Sequence, residues 1–292
     1  MPTPAYGPLL DALRGLKWPA RRPVGGALPG VHRSRLRGSA PEFSEYRPYR
    51  QGDDPRRLDW RLLARSDRAY IRLAEDHAIV PTVLVVDASA SMAYPASSLA
   101  KWVRARELAV GLAAVAHAAG DPIGVLVTGV RGVVRLAPRA RRGVVGEVAR
   151  TLDGVAPGGA TALEPLLAAI APAARVAVVS DFLGDADALL RAARARIAAG
   201  GDVVAVHVVA DEELDPPRRA VLAEDPEAPA LRRPLTDASR DAYLAAFGAW
   251  RETLARDWRG AGASYVLVAT GEPAAHAVRR IVTPMLPQAV RA

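Results

Sequence analysis

The sequence predicts an α/β fold with a mostly parallel sheet that carries helices on both faces. From residue 82 onward, short aliphatic and β-branched runs alternate with longer helical stretches. This alternation is typical of parallel sheets whose strands are buried on both faces. The chain has 292 residues and is 50% hydrophobic, so it can bury the core that such a sheet requires.

The order of the predicted elements follows from hydrophobic periodicity and from the glycines that end helices. The predicted strands are 82–86, 123–127, 132–136, 175–179, 202–209 and 264–268. The predicted helices are 99–119, 143–152, 163–170, 185–199, 237–259 and 274–281. Five prolines between residues 216 and 234 interrupt the alternation and indicate a small β insertion near 215–236.

Three regions are therefore expected along the chain. Residues 1–40 form a basic arm rich in Pro, Gly and Arg, with a short helix near 9–16. Residues 41–78 are dense in charged and aromatic side chains and are expected to pack on the core as an extension of it. Residues 79–285 form the α/β domain, which contains the inserted hairpin.

Composition argues against several classes of protein. The chain has no cysteine, so disulfides and thiolate metal sites are excluded. No stretch reaches the ~18–20 apolar residues that a membrane span requires, and no secretory signal is visible. We therefore expect a soluble, cytoplasmic protein.

The net charge of +8 is concentrated near the start of the chain, where residues 1–50 hold nine basic and three acidic side chains. The basic side chains are not interleaved with aromatic ones as in nucleic-acid-binding modules, so no nucleic-acid partner is expected. The phosphate-binding pattern G-x-x-x-x-G-K-[ST] does not occur in the sequence, which argues against ATP hydrolysis by that route.

A candidate metal motif follows the first predicted strand. Asp87, Ser89 and Ser91 form the pattern D-x-S-x-S, in which alternate residues of one loop can turn their oxygens towards one point. Hard divalent cations prefer such oxygen ligands. With few direct carboxylates, the metal stays electrophilic and can accept a carboxylate from another protein. A serine-rich turn in which Asp87 caps the next helix is the alternative interpretation.

Two further elements strengthen the metal interpretation. Thr161 follows a glycine-rich loop at Gly158 and Gly159 and could supply another hydroxyl. Asp181 comes just after the predicted strand 175–179 and could supply a second carboxylate. Each could equally be a helix cap when taken alone, but ligands of parallel sheets bind where the strands end.

This three-part pattern resembles the von Willebrand factor A fold with its metal-ion-dependent adhesion site, over roughly residues 80–210. The resemblance implies that Asp87, Ser89, Ser91, Thr161 and Asp181 are the metal ligands. Oxygen-only ligands suit Mg²⁺, Mn²⁺ or Ca²⁺, and Mg²⁺ is the expected ion.

Residues 42–49, 52–60 and 64–65 also resemble the signature of the bacterial domain of unknown function 58 (DUF58) family, and residues 180–183 resemble its later motif. Members are often encoded beside MoxR-type AAA+ ATPases and are thought to act as their partners. The signature mixes acidic, basic and aromatic side chains that could form a hydrogen-bonded network on an aromatic platform. A structural role and direct contact with a partner both remain open for this network, which comprises Arg47, Tyr49, Asp53, Asp54, Arg56, Asp59, Trp60 and Arg65.

The expected function is a non-enzymatic, metal-dependent protein-interaction module that works with a MoxR-type AAA+ ATPase. One alternative is a metal-dependent hydrolase or phosphatase, which would need a second metal or a general base within reach. The five histidines of this chain are scattered, without H-x-x-x-H spacing, which argues against this alternative. A second alternative is a nucleic-acid-binding protein that uses the basic arm, whose affinity would fall steeply with salt.

Overall fold

A computed structural model describes residues 6–20, 29–33, 43–50, 58–66, 68–74, 77–160, 162–217, 221–224 and 232–283. The helices are α1 (Gly7–Ala12), α2 (Trp60–Ser66), α3 (Ala100–Ala118), α4 (Val144–Asp153), α5 (Glu164–Ala168), α6 (Ala186–Ala198), α7 (Asp211–Leu214), α8 (Asp237–Gly260) and α9 (Ala274–Val282). The strands are β1 (Pro29–Arg33), β2 (Phe43–Pro48), β3 (Tyr70–Ala74), β4 (His77–Ala78), β5 (Thr82–Val86), β6 (Ile123–Val127), β7 (Val134–Arg139), β8 (Arg175–Ser180), β9 (Asp202–Val209), β10 (Val221–Glu224), β11 (Arg232–Leu235) and β12 (Ser264–Ala269).

Within the described residues, six strands form the main sheet in the order β12-β9-β8-β5-β6-β7. Neighbouring strands run parallel, except that β7 runs antiparallel to β6 at one edge. This order, with an antiparallel strand at that edge, is that of the von Willebrand factor A fold. The predicted α/β class and the mostly parallel sheet are confirmed.

Both faces of the main sheet are covered, which explains why its central strands are continuous apolar runs. Leu84 and Val86 of β5 face the layer formed by α3, α4 and α9, together with Leu13 and Trp18. Val83 and Val85 face the layer formed by α5, α6 and α8. The alternation along one strand thus divides the core into two clusters.

The helix α3 is the centre of the first layer and is buried on most of its sides. Its residues pack against β5, α4, α9 and α1. A helix in this position is apolar almost all round, and the few charged side chains that it buries need partners. Lys101 and Arg106 are the buried charged residues of α3.

Short antiparallel pairs accompany the main sheet. The strand β10 pairs with β11, where the sequence predicts a small β insertion. The strands β2 and β3 pair within the charged and aromatic region, and β1 pairs with β4. The segment 6–20 lies against the core with Leu13 and Trp18 buried, although the sequence predicts an extended arm after a helix at 9–16. Among the described helices, none has the length and apolar composition needed to cross a membrane.

Candidate metal centre

Two buried aspartates lie where adjacent parallel strands of the main sheet end. Asp87 follows β5 and Asp181 follows β8. The two strands are paired up to Val86 and Val179, and the Asp87 amide donates to the Val179 carbonyl at 2.9 Å. The side chains that the sequence assigns to one site are therefore neighbours at one edge of the sheet.

The Asp87 carboxylate is oriented by neutral donors. The amide of Ser89 donates to Oδ1 at 2.9 Å, which closes a turn of the kind that Asp forms with the residue two positions ahead. The Ser180 hydroxyl donates to Oδ2 at 2.6 Å, and the Thr128 hydroxyl lies 3.4 Å from Oδ1. Hydrogen-bond donors at the ends of three neighbouring strands, β5, β6 and β8, thus fix the orientation of this carboxylate.

Two hydroxyls stand beside Asp87. A 3-10 turn at Ala90–Ala93 follows Ser89, and it brings the Oγ atoms of Ser89 and Ser91 to 3.1 Å from each other. Both serines are buried. Two hydroxyl oxygens next to a carboxylate form the kind of donor set that a hard divalent cation accepts.

The glycine-rich loop is joined to the D-x-S-x-S loop by backbone hydrogen bonds on both sides. The Gly158 amide donates to the Ala88 carbonyl at 2.7 Å, and the Ala90 amide donates to the Gly159 carbonyl at 2.9 Å. Gly158 has φ of +151°, and a Cβ there would lie 2.6 Å from Cγ2 of Val130, so this close approach requires glycine. Thr161 lies outside the described residues, and its role as a ligand stays a prediction.

Asp181 carries an ion pair that the sequence did not predict. The Lys101 ammonium donates to its Oδ2 at 2.7 Å and to Oε1 of Glu213 at 2.8 Å. The Leu183 amide donates to Oδ1 of Asp181 at 3.2 Å. Lys101 is 0% exposed, so this pair lies in a region of low dielectric where charges interact strongly.

The charges at this edge do not balance. Asp87, Asp181 and Glu213 bring three negative charges and Lys101 brings one positive charge, so these four side chains together carry −2 when ionised. Burial, and then the charge of Asp181, raises the pKa of the Asp87 carboxyl above its usual range.

A divalent cation fits this donor set in charge and in chemistry. No group of three or more His, Cys, Asp or Glu side chains suited to a metal occurs among the described residues. A cation at this edge would therefore be held by a carboxylate together with hydroxyls. The Ser89 and Ser91 hydroxyls beside Asp87 match that requirement.

A cleft of about 270 Å³ opens beside Asp87. It is lined by Asp87, Ser89, Ala160, Ala162, Leu163, Glu164, Ser180, Phe182, Gly184, Asp185, Ala186, Ala188 and Leu189. Val130 beside the glycine loop is 64% exposed and Leu183 is 48% exposed. The edge thus combines a buried polar site with apolar side chains that reach solvent.

The sequence profile of a family described as "Protein of unknown function DUF58" matches residues 45–252. The chain belongs to the DUF58 family. A protein of Mycobacterium tuberculosis described as uncharacterized is 31% identical over 275 residues, which cover 90% of this DUF58 chain and 85% of that protein.

Solved structures are similar to this DUF58 chain at lower identity. The conserved hypothetical protein BatB from Bacteroides thetaiotaomicron is 18% identical, with a TM-score of 0.43, and covers 70% of this chain and 97% of its own. The SpRpn10 VWA domain is 10% identical, with a TM-score of 0.39, and covers 69% of this chain and 94% of its own.

The DUF58 signature is described in part. Asp59 accepts from the amides of Arg61 and Leu62 at 3.1 and 3.0 Å, so it caps α2. Trp60 is 63% exposed. The predicted aromatic platform around Trp60 stays a prediction, because Asp53, Asp54 and Arg56 lie outside the described residues. Tyr49 and Arg65 are exposed, and Arg47 lies in β2.

Sequence reasoning missed four side chains of the site, namely Lys101, Thr128, Ser180 and Glu213. One signal could have found Lys101. It is one of two lysines in this DUF58 chain and stands in the first turn of a helix whose centre is apolar. A buried ammonium requires a buried carboxylate, and the carboxylates at the strand ends are the available partners.

Proposed function

We propose that this chain is a non-enzymatic protein-interaction module that grips a partner's carboxylate through a divalent metal. The observation that carries the proposal is the uncompensated negative charge beside the paired hydroxyls of Ser89 and Ser91. A divalent cation would neutralise that charge and leave coordination positions for an external ligand.

Asp87, Ser89 and Ser91 would hold the cation, with Thr161 and Asp181 completing the predicted set. We expect Mg²⁺, with Mn²⁺ or Ca²⁺ as substitutes. The bound ion supplies a Lewis-acidic centre that accepts a carboxylate oxygen. The hydrogen bonds from Ser89, Thr128 and Ser180 keep Asp87 in one orientation, so its position does not depend on the ion.

The surroundings of the site suit a protein partner. Val130 and Leu183 present apolar surface near the cleft, and exposed apolar groups rimmed by polar ones mark interaction sites. The partner would thus offer an aspartate or glutamate flanked by apolar side chains. The resemblance to DUF58 proteins makes a MoxR-type AAA+ ATPase the proposed partner, with both proteins in the cytoplasm.

The test measures binding of the purified chain to a purified MoxR-type ATPase from the same genome, in Mg²⁺ and in EDTA. We expect at least about tenfold weaker binding in EDTA, equivalent to ~1.4 kcal/mol. Asp87→Ala should weaken binding in Mg²⁺ to the level seen in EDTA. Circular dichroism would check that the variant is folded.

Asp11→Ala is the matched control, because Asp11 is an exposed aspartate of α1 that pairs with Arg14. This variant should bind as the wild type does. Equal affinity in Mg²⁺ and EDTA, for both the wild type and Asp87→Ala, would rule out metal-mediated gripping. Binding that depends on Mg²⁺ but is the same in Asp87→Ala would place the metal elsewhere.

A further inference from the structure

The ammonium of Lys101 lies in direct contact with one of the proposed metal ligands. It contacts Asp181, which belongs to the proposed ligand set, and Glu213, which does not. The three side chains come from the first turn of α3, the end of β8 and the short helix α7. One buried cation thus connects the metal edge to an element outside the predicted motif.

Backbone amides hold the two acidic partners of Lys101, and the Leu183 amide does so for Asp181. Glu213 is anchored in turn, because its Oε2 accepts from the Ala210 amide at 2.7 Å. Leu99 and Phe182 have φ of +54° and +56°, and both are adjacent to the pair, two residues before Lys101 and one after Asp181. Such left-handed conformations are unfavourable for bulky residues and persist where the surrounding structure enforces them.

We infer that Lys101 is an internal cation that competes with the divalent metal for Asp181, and that Glu213 sets the strength of this competition. The inference rests on the proposed metal site. The ammonium and the Leu183 amide each occupy one oxygen of Asp181. A metal approaching the same carboxylate meets a fixed positive charge in a buried region, and like charges there repel strongly.

This competition affects how the metal and the partner bind together. Lys101 weakens the affinity of the empty site for the metal, so the ion is held loosely until a further negative charge arrives. A partner's carboxylate supplies that charge and binds the same ion. Metal and partner therefore bind cooperatively, because each raises the affinity for the other.

The test measures Mg²⁺ affinity of the full chain by isothermal titration calorimetry, and Mn²⁺ affinity by electron paramagnetic resonance. Lys101→Met keeps the length of the side chain and removes its charge, so it should bind Mg²⁺ about tenfold tighter. Glu213→Gln removes the anion that draws the ammonium away from Asp181, so binding should weaken severalfold. The double variant Lys101→Met/Glu213→Gln should bind as tightly as Lys101→Met, because Glu213 acts on the metal through the ammonium.

Arg175→Met is the matched control. Arg175 is a fully buried cation that bridges two aspartates, but it begins β8 whereas Asp181 follows the end of that strand. Its loss removes the same charge and a similar ion pair far from the metal edge. The Mg²⁺ affinity of this variant should equal that of the wild type, and a rise matching that of Lys101→Met would overturn the local competition.

The remaining outcomes separate the inference from the proposed function. If the wild type binds Mg²⁺ and Lys101→Met binds it equally or more weakly, Lys101 positions Asp181 and does not compete. If only Lys101→Met binds metal, the competition stands and the proposed function fails. If neither binds, both fail. Should Lys101→Met not fold, an unchanged affinity of Glu213→Gln overturns the inference.

Discussion

The main sheet has two edges at which its parallel strands begin or end, and each of them buries a cation between two carboxylates. The two edges differ in what surrounds that cation. Where the parallel strands begin, Arg175 lies 3.8 Å from Asp121 and 3.4 Å from Asp202. Where they end, Lys101 lies within 2.8 Å of both Asp181 and Glu213. The same arrangement of charges thus occurs twice on one sheet.

The edge at Arg175 is closed. The guanidinium lies 4.4 Å from the centre of the Trp18 ring, which covers it, and Asp121 also accepts from the Val80 amide at 3.0 Å. At the other edge, Asp87 adds a third carboxylate next to a cleft. One edge therefore uses its charges to hold the fold together, whereas the other keeps an excess of negative charge that a ligand could neutralise.

The largest expected effect is the loss of stability when Arg175 is removed from the closed edge. Arg175→Met leaves the buried Asp121 and the partly buried Asp202 without their cation, and removing one partner of a buried pair costs ~3–5 kcal/mol of unfolding free energy. Urea denaturation followed by circular dichroism measures this loss. Arg141→Met is the control, because Arg141 pairs with Glu147 while more than half exposed, and such pairs contribute ~0–1 kcal/mol. Equal losses in both variants would contradict the comparison.

A second prediction concerns His207, which lies in β9 near the excess negative charge. Its Nδ1 lies 2.5 Å from the Tyr265 hydroxyl, and the rings of Phe182 and Trp250 pack against the imidazole. Burial lowers the pKa of His207 from 6.5 to about 3, although Asp181 acts in the opposite direction. The imidazole therefore stays neutral and does not compensate the carboxylates.

Because the folded-state pKa of His207 lies below the unfolded value, the unfolded chain takes up its proton first as pH falls. The stabilisation is complete above pH 6.5 and is lost progressively towards pH 3. Between pH 7 and pH 5 the loss amounts to about 2 kcal/mol. Urea denaturation at both pH values should show this loss in the wild type and in His276→Gln, an exposed control, but not in His207→Gln.

The sequence was a sufficient guide to the elements that are buried on both faces. The strands β5, β6 and β9 begin and end where the aliphatic runs do, because a strand between two helical layers admits little but apolar residues. The edge strand β7 begins and ends later than the predicted 132–136. Every residue of that strand except Leu136 is exposed, so its hydrophobic pattern is weak.

The sequence predicted the site residues that belong to local motifs, but it did not predict the ion pairs that connect them to the rest of the fold. Asp87 and Asp181 each follow an apolar run, so their position at the sheet edge follows from the sequence. Glu213 stands in α7, a helix of four residues that is too short to show a period. Its bond to Lys101 joins residues 112 positions apart, and such pairs depend on the tertiary fold.

The smallest expected effect is a gain in stability, and it distinguishes the two edges most directly. At pH 7 in EDTA, Asp87→Asn should stabilise the fold by about 1 kcal/mol, because it removes a charge that burial and Asp181 disfavour while keeping an oxygen for the Ser89 amide. The sign follows from the raised pKa of Asp87: the folded state holds this proton longer than the unfolded chain, so ionisation above pH 3.8 costs stability. Asp121→Asn should have the opposite sign, since it takes an anion from Arg175. If both variants shift the urea midpoint in the same direction, the excess charge is not peculiar to the edge at Asp87.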